Sequence, residues 1–280
     1  MPLIIHRKVK IRSFLKSLPH TVDLYKSPAF FFHFQQVVRI YQASKYNFSK
    51  RLFVIKEILE NKIGGHPYLP VGEEYPCDSN GNPMALLLQI NLKDIDLENY
   101  PKQGILEIFT DVDVDYPCQY SIRYYEEGRE YQTTFPDLDL EYYFVSEPYK
   151  ISLKKTVDYM SINDYRFEKT IIPIINKIYE TDLKNTCEAD KYFGNFDWTD
   201  YMEGAYDYNG ITIGGYPEFC QGDPREYKYE DKDECLFKLD SEGTHFKVNI
   251  GDCGVLFTLV SMEDIKNKHF ENAIVDWDCC

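Results

Sequence analysis

The 280-residue chain has no Cys-x-x-Cys pair, no His-x-x-x-His spacing and no nucleophile elbow. Their absence removes the usual local signatures of a structural zinc site, a zinc hydrolase and an α/β-hydrolase. Six histidines, His6, His20, His33, His66, His245 and His269, supply few candidates for a general base. There is also no long apolar run. The most apolar stretch near the start, Ala29 to Phe32 with Val37, Val38 and Ile40, is broken by His33, Gln35, Gln36 and Arg39. That is far short of the roughly 20 residues a membrane span needs, and it reads as a short helix. Met1 to His20 lacks an apolar core followed by a small-residue cleavage site, so no signal peptide is expected.

Cations are also scarce: 31 Lys and Arg stand against 46 Asp and Glu, a formal charge of −15. The imbalance is uneven. Residues 1–62 carry twelve Lys/Arg and three Asp/Glu, a balance of +9, which leaves −24 for the remainder. So acidic a body disfavours nucleic acid and anionic membranes, because binding to a phosphate backbone requires cations on the protein. The basic stretch either docks on the acidic body or extends from it. Eight irregularly spaced cysteines in a long chain without a leader point to reduced thiols and a cytoplasmic protein.

What is present is a repeated corner. Ile63-Gly64-Gly65-His66-Pro67 returns as Ile213-Gly214-Gly215-Tyr216-Pro217, with Gly72 answered by Gly222, all at an offset of 150. Paired glycines before X-Pro specify backbone geometry, since glycine reaches φ > 0 cheaply and proline fixes φ near about −65°. Leu87 to Asn91 answers Leu236 to Asp240 at an offset of 149, and Gly104-Ile105-Leu106 answers Gly254-Val255-Leu256 at 150. Three blocks in register point to an internal duplication, each copy a glycine-proline turn followed by two apolar strands.

With 24 Tyr and 18 Phe, the composition favours strands. The expected fold is mainly β, a β-rich α+β class with a pseudo-duplication and a few peripheral helices. Residues 1–60 form a basic, partly helical extension. Residues 61–280 hold two related β-rich halves, about 61–160 and 205–280, joined by a helical connection. Strands are expected at 85–90, 105–110, 120–125, 140–145 and 149–153, with a further strand ending at Val260. Amphipathic spacing marks a helix over Leu52, Ile55 and Leu59, and a second carrying Phe167, Ile171, Ile174, Ile175 and Ile178, which Pro173 should kink or restart. A short helix is expected from Ser261.

Candidate chemistry is thin. Asp78 to Gln89 begins like a calcium loop but has Pro83 where the turn needs Gly and Gln89 where a bidentate Glu belongs. Asp111, Asp113 and Asp115 alternate with valine, either as a solvated edge or as a cation grip. His66 and Tyr216 occupy the same place in the two copies, which reads as a packing ring with a polar tip. Asp223, Arg225 and Asp252 form either a polar cleft for a charged group or a structural set in which Asp223 caps its own turn and Arg225 pairs with Asp252. Trp277 reads as an anchor for the terminus, and adjacent Cys279 and Cys280 rarely close an unstrained disulfide. No cofactor, metal or catalytic residue is assigned.

The succession Ile-Gly-Gly-x-Pro-Tyr-Leu-Pro at 63–70, Leu-Leu-Gln-Ile-Asn at 87–91, Pro-Tyr-Lys-Ile-Ser-Leu at 148–153, Gln-Gly-Asp-Pro-Arg at 221–225 and Gly-Asp-x-Gly-Val at 251–255 resembles the YwqG family over about residues 60–280. The resemblance implies a rolled-sheet architecture in largely bacterial proteins of unassigned role, some of them among toxin and immunity genes. This chain has Ile250 where the family usually has Trp, so no role for that ring carries over. The expectation is a non-enzymatic, cytoplasmic protein-binding module. The alternatives are a hydrolase or metal-dependent enzyme using Asp223, Asp252 and His66, and a purely structural protein.

Overall fold

The computed structural model describes residues 34–45, 58–112, 119–141, 143, 145, 147–194, 210–241 and 250–279. Ten strands form one sheet: β1 Phe34–Lys45, β2 Lys62–Ile63, β3 Ala85–Asn91, β4 Ile105–Thr110, β5 Tyr120–Tyr125, β6 Tyr149–Tyr159, β7 Ile211–Ile213, β8 Glu234–Asp240, β9 Val255–Val260 and β10 Ile274–Asp278. Three helices accompany them among the described residues, α1 Phe167–Tyr179, α2 Thr186–Tyr192 and α3 Met262–Asn267. The fold is β-rich α+β, and every strand pairing is antiparallel.

The strand order, β10-β9-β8-β7-β1-β6-β2-β3-β4-β5, reads the same from both ends once β1 to β5 are matched with β6 to β10. The leading strand of each half therefore lies in the other half. β1 pairs with β7 through Val38 and Ile213, and β6 pairs with β2 through Tyr149 and Ile63. The detail repeats as well. A bulge between Leu86 and Leu88 in β3 has its counterpart between Cys235 and Phe237 in β8. Each bulge turns a carbonyl toward the glycine corner: Gly64 N–H donates to Leu87 O at 3.1 Å, and Gly214 N–H to Leu236 O at 3.2 Å.

Both halves place the same face inward. Ile63, Leu88, Ile108 and Ile122 share one hydrophobic cluster with Ile213, Phe237, Leu256 and Val260, so the sheet rolls back on itself. At its far ends the Tyr124 and Phe270 rings lie 5.7 Å apart and Lys268 Nζ sits 5.2 Å from the Tyr124 ring centre. Trp277 packs half-buried against this core.

Two expectations are corrected. The apolar stretch ending at Ile40 reads as a helix, yet Phe34–Lys45 is a strand at the middle of the sheet. Eleven pairings with β6 outweigh any local preference, and part of the presumed extension belongs to the fold. No strand forms among the described residues of 140–145; Tyr143 and Val145 are buried from an irregular segment instead. Helix α1 runs from Phe167 through Pro173 as one helix, so of the kink or restart expected at the proline the restart does not occur. The helix expected over 52–59 lies mostly outside the described residues, as do Asp113 and Asp115. Among the described residues, no helix is long and apolar enough to cross a membrane.

Candidate functional site

The second glycine-proline corner gathers most of the buried charge. Gly214 and Gly215, at φ 73° and 90°, bend the chain so that Tyr216 N–H points inward and donates to Asp158 of β6 at 3.1 Å. Seven residues on, Asp223 starts the short 3-10 turn Pro224–Glu226 and accepts from Arg225 N–H at 2.9 Å. Proline at the first position suits this start, since it has no N–H to lose.

Arg225 is 1% exposed, and its guanidinium is held between two carboxylates. Nε donates to Asp223 Oδ1 at 2.9 Å, while Nη2 donates to Asp223 Oδ2 at 2.6 Å and Asp164 Oδ2 at 2.8 Å. The rings of Tyr165 and Phe219 flank it at 5.4 and 5.5 Å. Asp164 also receives Nε and Nη2 of Arg166, at 2.9 and 2.7 Å. Burial works to raise the Asp164 pKa, but the hydrogen bond from Arg166 and the charges of Arg225 and Arg166 outweigh it and hold the carboxyl below its usual range. Two carboxylates and two guanidiniums thus cancel, and the segment before α1 is bolted to the corner. Burying charge costs several kcal/mol per ion unless paired contacts offset it; here Nε and Nη2 of Arg225 are paired, while its Nη1 is buried without a hydrogen-bond partner.

A second polar layer lies beneath. Glu218 Oε2 stands 3.6 Å from Lys238 Nζ, and burial, reinforced by the charges of Asp240 and Asp158 against that of Lys238, pushes the Glu218 carboxyl up to about 7. Burial and the neighbouring Asp233 do the same to Glu234, also to about 7. Cys235 is pushed up to about 12 by burial, which keeps its thiol protonated.

The first corner has its own version. Tyr68 N–H donates to Gln89 Oε1 at 2.8 Å and Glu107 Oε1 at 2.7 Å, and Gln89 Nε2 closes on the carbonyls of Ile58 and Glu60. Gln89 is therefore a core residue of β3, and Asp78 spends its oxygens on N–H groups of Asn80 and Asn82 in its own turn. Burial drives the Glu107 carboxyl up to about 8 against the opposing charge of Lys62.

Of the five residues singled out in the sequence, Asp223 and Arg225 meet, with Tyr216 nearby beneath Arg166 at 5.8 Å from its ring centre. Asp223 caps its own turn as expected, but Arg225 pairs with Asp164 rather than Asp252, which is exposed in the turn entering β9. His66 is exposed and stacks on Phe135 at 4.8 Å, whereas its counterpart Tyr216 is buried. Duplication equates the backbone at these positions and leaves the side chains to diverge. Asp164, Arg166, Glu218 and Glu234 carry no motif: each sits in a stretch that reads as a cap or a charged loop, and only the packing of α1 on the corner joins them. Among the described residues, no three His, Cys, Asp or Glu side chains are placed to hold a metal ion.

The corner also presents a ring outward. Tyr227, 75% exposed, directly follows the 3-10 turn whose buried end is Arg225. No curated protein matches the chain. Residues 61–279 match the profile of the family described as a domain of unknown function, DUF1963, and the chain belongs to that family.

Proposed function

We propose that this protein is a non-enzymatic, cytoplasmic protein-binding module, with the second glycine-proline corner as its recognition element. The observation that carries this reading is Tyr227: a large exposed ring whose backbone N–H donates to the Pro224 carbonyl at 3.3 Å, two residues beyond the buried Arg225. Aromatic side chains on preorganised backbone are efficient binding anchors, because little freedom is lost on association. Carboxylates saturated by guanidinium N–H groups suit anchoring better than proton transfer. The resemblance to the YwqG family, some of whose members lie among toxin and immunity genes, supports a protein partner, and the charge of −15 favours a basic one.

The test is site-specific photo-crosslinking in the full-length chain. A photoreactive side chain at position 227 should give one discrete protein adduct that the same group at exposed Val71 does not. The purified partner should then lose about tenfold in affinity for Tyr227→Ala. Identical adducts from both positions, or unchanged affinity, would overturn the assignment.

A further inference from the structure

The turn that carries Tyr227 has spent its cations and kept its carboxylates. Arg225 is held by Asp223 and Asp164, and Lys228 Nζ lies 3.5 Å from Asp276 Oδ2. Lys232 Nζ lies 2.8 Å from Asp231 Oδ2 and 3.7 Å from Asp264 Oδ2, its side chain 11% exposed. Glu226 and Glu230, one residue before Tyr227 and three after it, are exposed, and neither makes an ion pair or a side-chain hydrogen bond with a described residue. The Tyr227 ring likewise lies against no described ring or cation. The backbone N–H groups of Tyr227, Lys228 and Tyr229 all donate to the Pro224 carbonyl, at 3.3, 2.8 and 3.3 Å, and the Tyr229 hydroxyl donates to Asp276 at 3.0 Å, so these groups stand on an anchored turn.

Elsewhere the fold completes the same set of groups from within. Arg166, Arg225, Lys228 and Lys268 each lie 4.5–5.8 Å from the centre of a tyrosine ring and 2.6–4.0 Å from a carboxylate oxygen. A cation over a ring is attracted by its negative face, and a neighbouring carboxylate adds to the pull. At Tyr227 the ring and the carboxylates are present, and the cation has to come from another molecule. An ammonium acts there as a point charge, whereas a guanidinium is planar, lies flat on an aromatic ring and still directs N–H groups to carboxylates at its edge. Arg225 shows this arrangement two residues away, flanked by the Tyr165 and Phe219 rings with Asp223 accepting from its Nε and Nη2.

We propose that Tyr227, Glu226 and Glu230 receive an arginine side chain of the partner protein, whose guanidinium covers the ring while its N–H groups donate to the two carboxylates. This rests on the reading of the corner as a protein-recognition element and goes further by naming what the partner presents there. The formal charge of −15 draws a basic segment toward the protein, and the ring with its carboxylates selects the guanidinium within it. Lys228 does not fill the place itself, since it lies over the Tyr229 ring at 4.5 Å and is paired with Asp276.

The test titrates the full-length protein, carrying 3-fluorotyrosine, with acetyl-arginine amide at constant ionic strength. It follows the fluorine resonance of Tyr227, identified by its loss in Tyr227→Phe. That resonance should shift and saturate in the millimolar range. Acetyl-lysine amide should need a higher concentration, and acetyl-citrulline amide, similar in shape but uncharged, should leave the resonance in place. Glu226→Gln combined with Glu230→Gln should raise the arginine midpoint by about fivefold. No shift, equal midpoints for arginine and lysine, an equal response to citrulline, or an unchanged midpoint in the double variant would overturn the proposal. The photo-crosslink at position 227 decides the underlying reading separately. An arginine response without a protein adduct keeps the guanidinium site and overturns the protein partner, whereas an adduct without an arginine response overturns the arginine and keeps the partner.

Discussion

Asp164 and Arg225 are 61 positions apart in sequence, yet their side chains meet at 2.8 Å with neither exposed to solvent. That contact ties the segment before α1 to the second corner, and it makes the corner's rigidity measurable. Removing one member of a buried ion pair strands the other, so Asp164→Ala should destabilise the protein by about 3–5 kcal/mol in urea unfolding. Arg225→Lys should also weaken it, since an ammonium cannot reproduce the forked contact with Asp223. A double-mutant cycle showing additive losses would contradict the coupling.

Glu107 makes stability depend on pH in an unusual direction. Its folded-state pKa of about 8 lies above the unfolded value of roughly 4.3, so the folded state holds the proton more tightly. The associated stability is fully present below the unfolded value and is lost as pH rises through about 8. Glu218 and Glu234, at about 7, act with the same sign over a narrower window. Glu107→Gln keeps the acceptor for Tyr68 N–H, so its unfolding free energy should fall less steeply than wild type between pH 5 and 8. Parallel curves would show that Glu107 is not the group responsible.

Gly254 is under steric pressure. A Cβ there would stand 2.2 Å from the Asp278 carbonyl oxygen, whereas at Gly222 nothing lies within 4 Å although φ is 103°. Gly254→Ala should therefore cost more than Gly222→Ala, by about 1–3 kcal/mol of repacking strain, in parallel chemical denaturation.

The middle of the sheet offers a backbone test. Val38 is paired on one side with Lys155 and on the other with Ile213. Proline cannot donate to a ladder, so Val38→Pro should destabilise the whole protein by about 3 kcal/mol or more, and amide exchange should quicken in both β6 and β7. An unaffected β7 would mean that β1 is not the bridge between the halves.

Much of this architecture was legible before any coordinates. The glycine corners, the apolar β3 and β4 with their partners β8 and β9, and the start of α3 behind the cap Ser261 each rest on residues within a few positions of one another. The candidate site was legible only in part. The cap that Asp223 places on its own turn was legible, but the sequence directed Arg225 to Asp252 and not to Asp223 and Asp164, and Asp164 reads as part of a helix start. Nothing local separates Glu107, 0% exposed, from a surface glutamate in an alternating strand.

The chain's own order of residues settles local geometry, because a turn needing φ > 0 or a proline-fixed entry is decided by the residue that occupies it. It also announces the duplication, since like sequence yields like corners 150 positions apart. Tertiary structure alone decides which half each leading strand joins and which guanidinium Asp164 meets. Those outcomes depend on burial and on pairing between segments far apart along the chain, and such energies exist only after the sheet has closed.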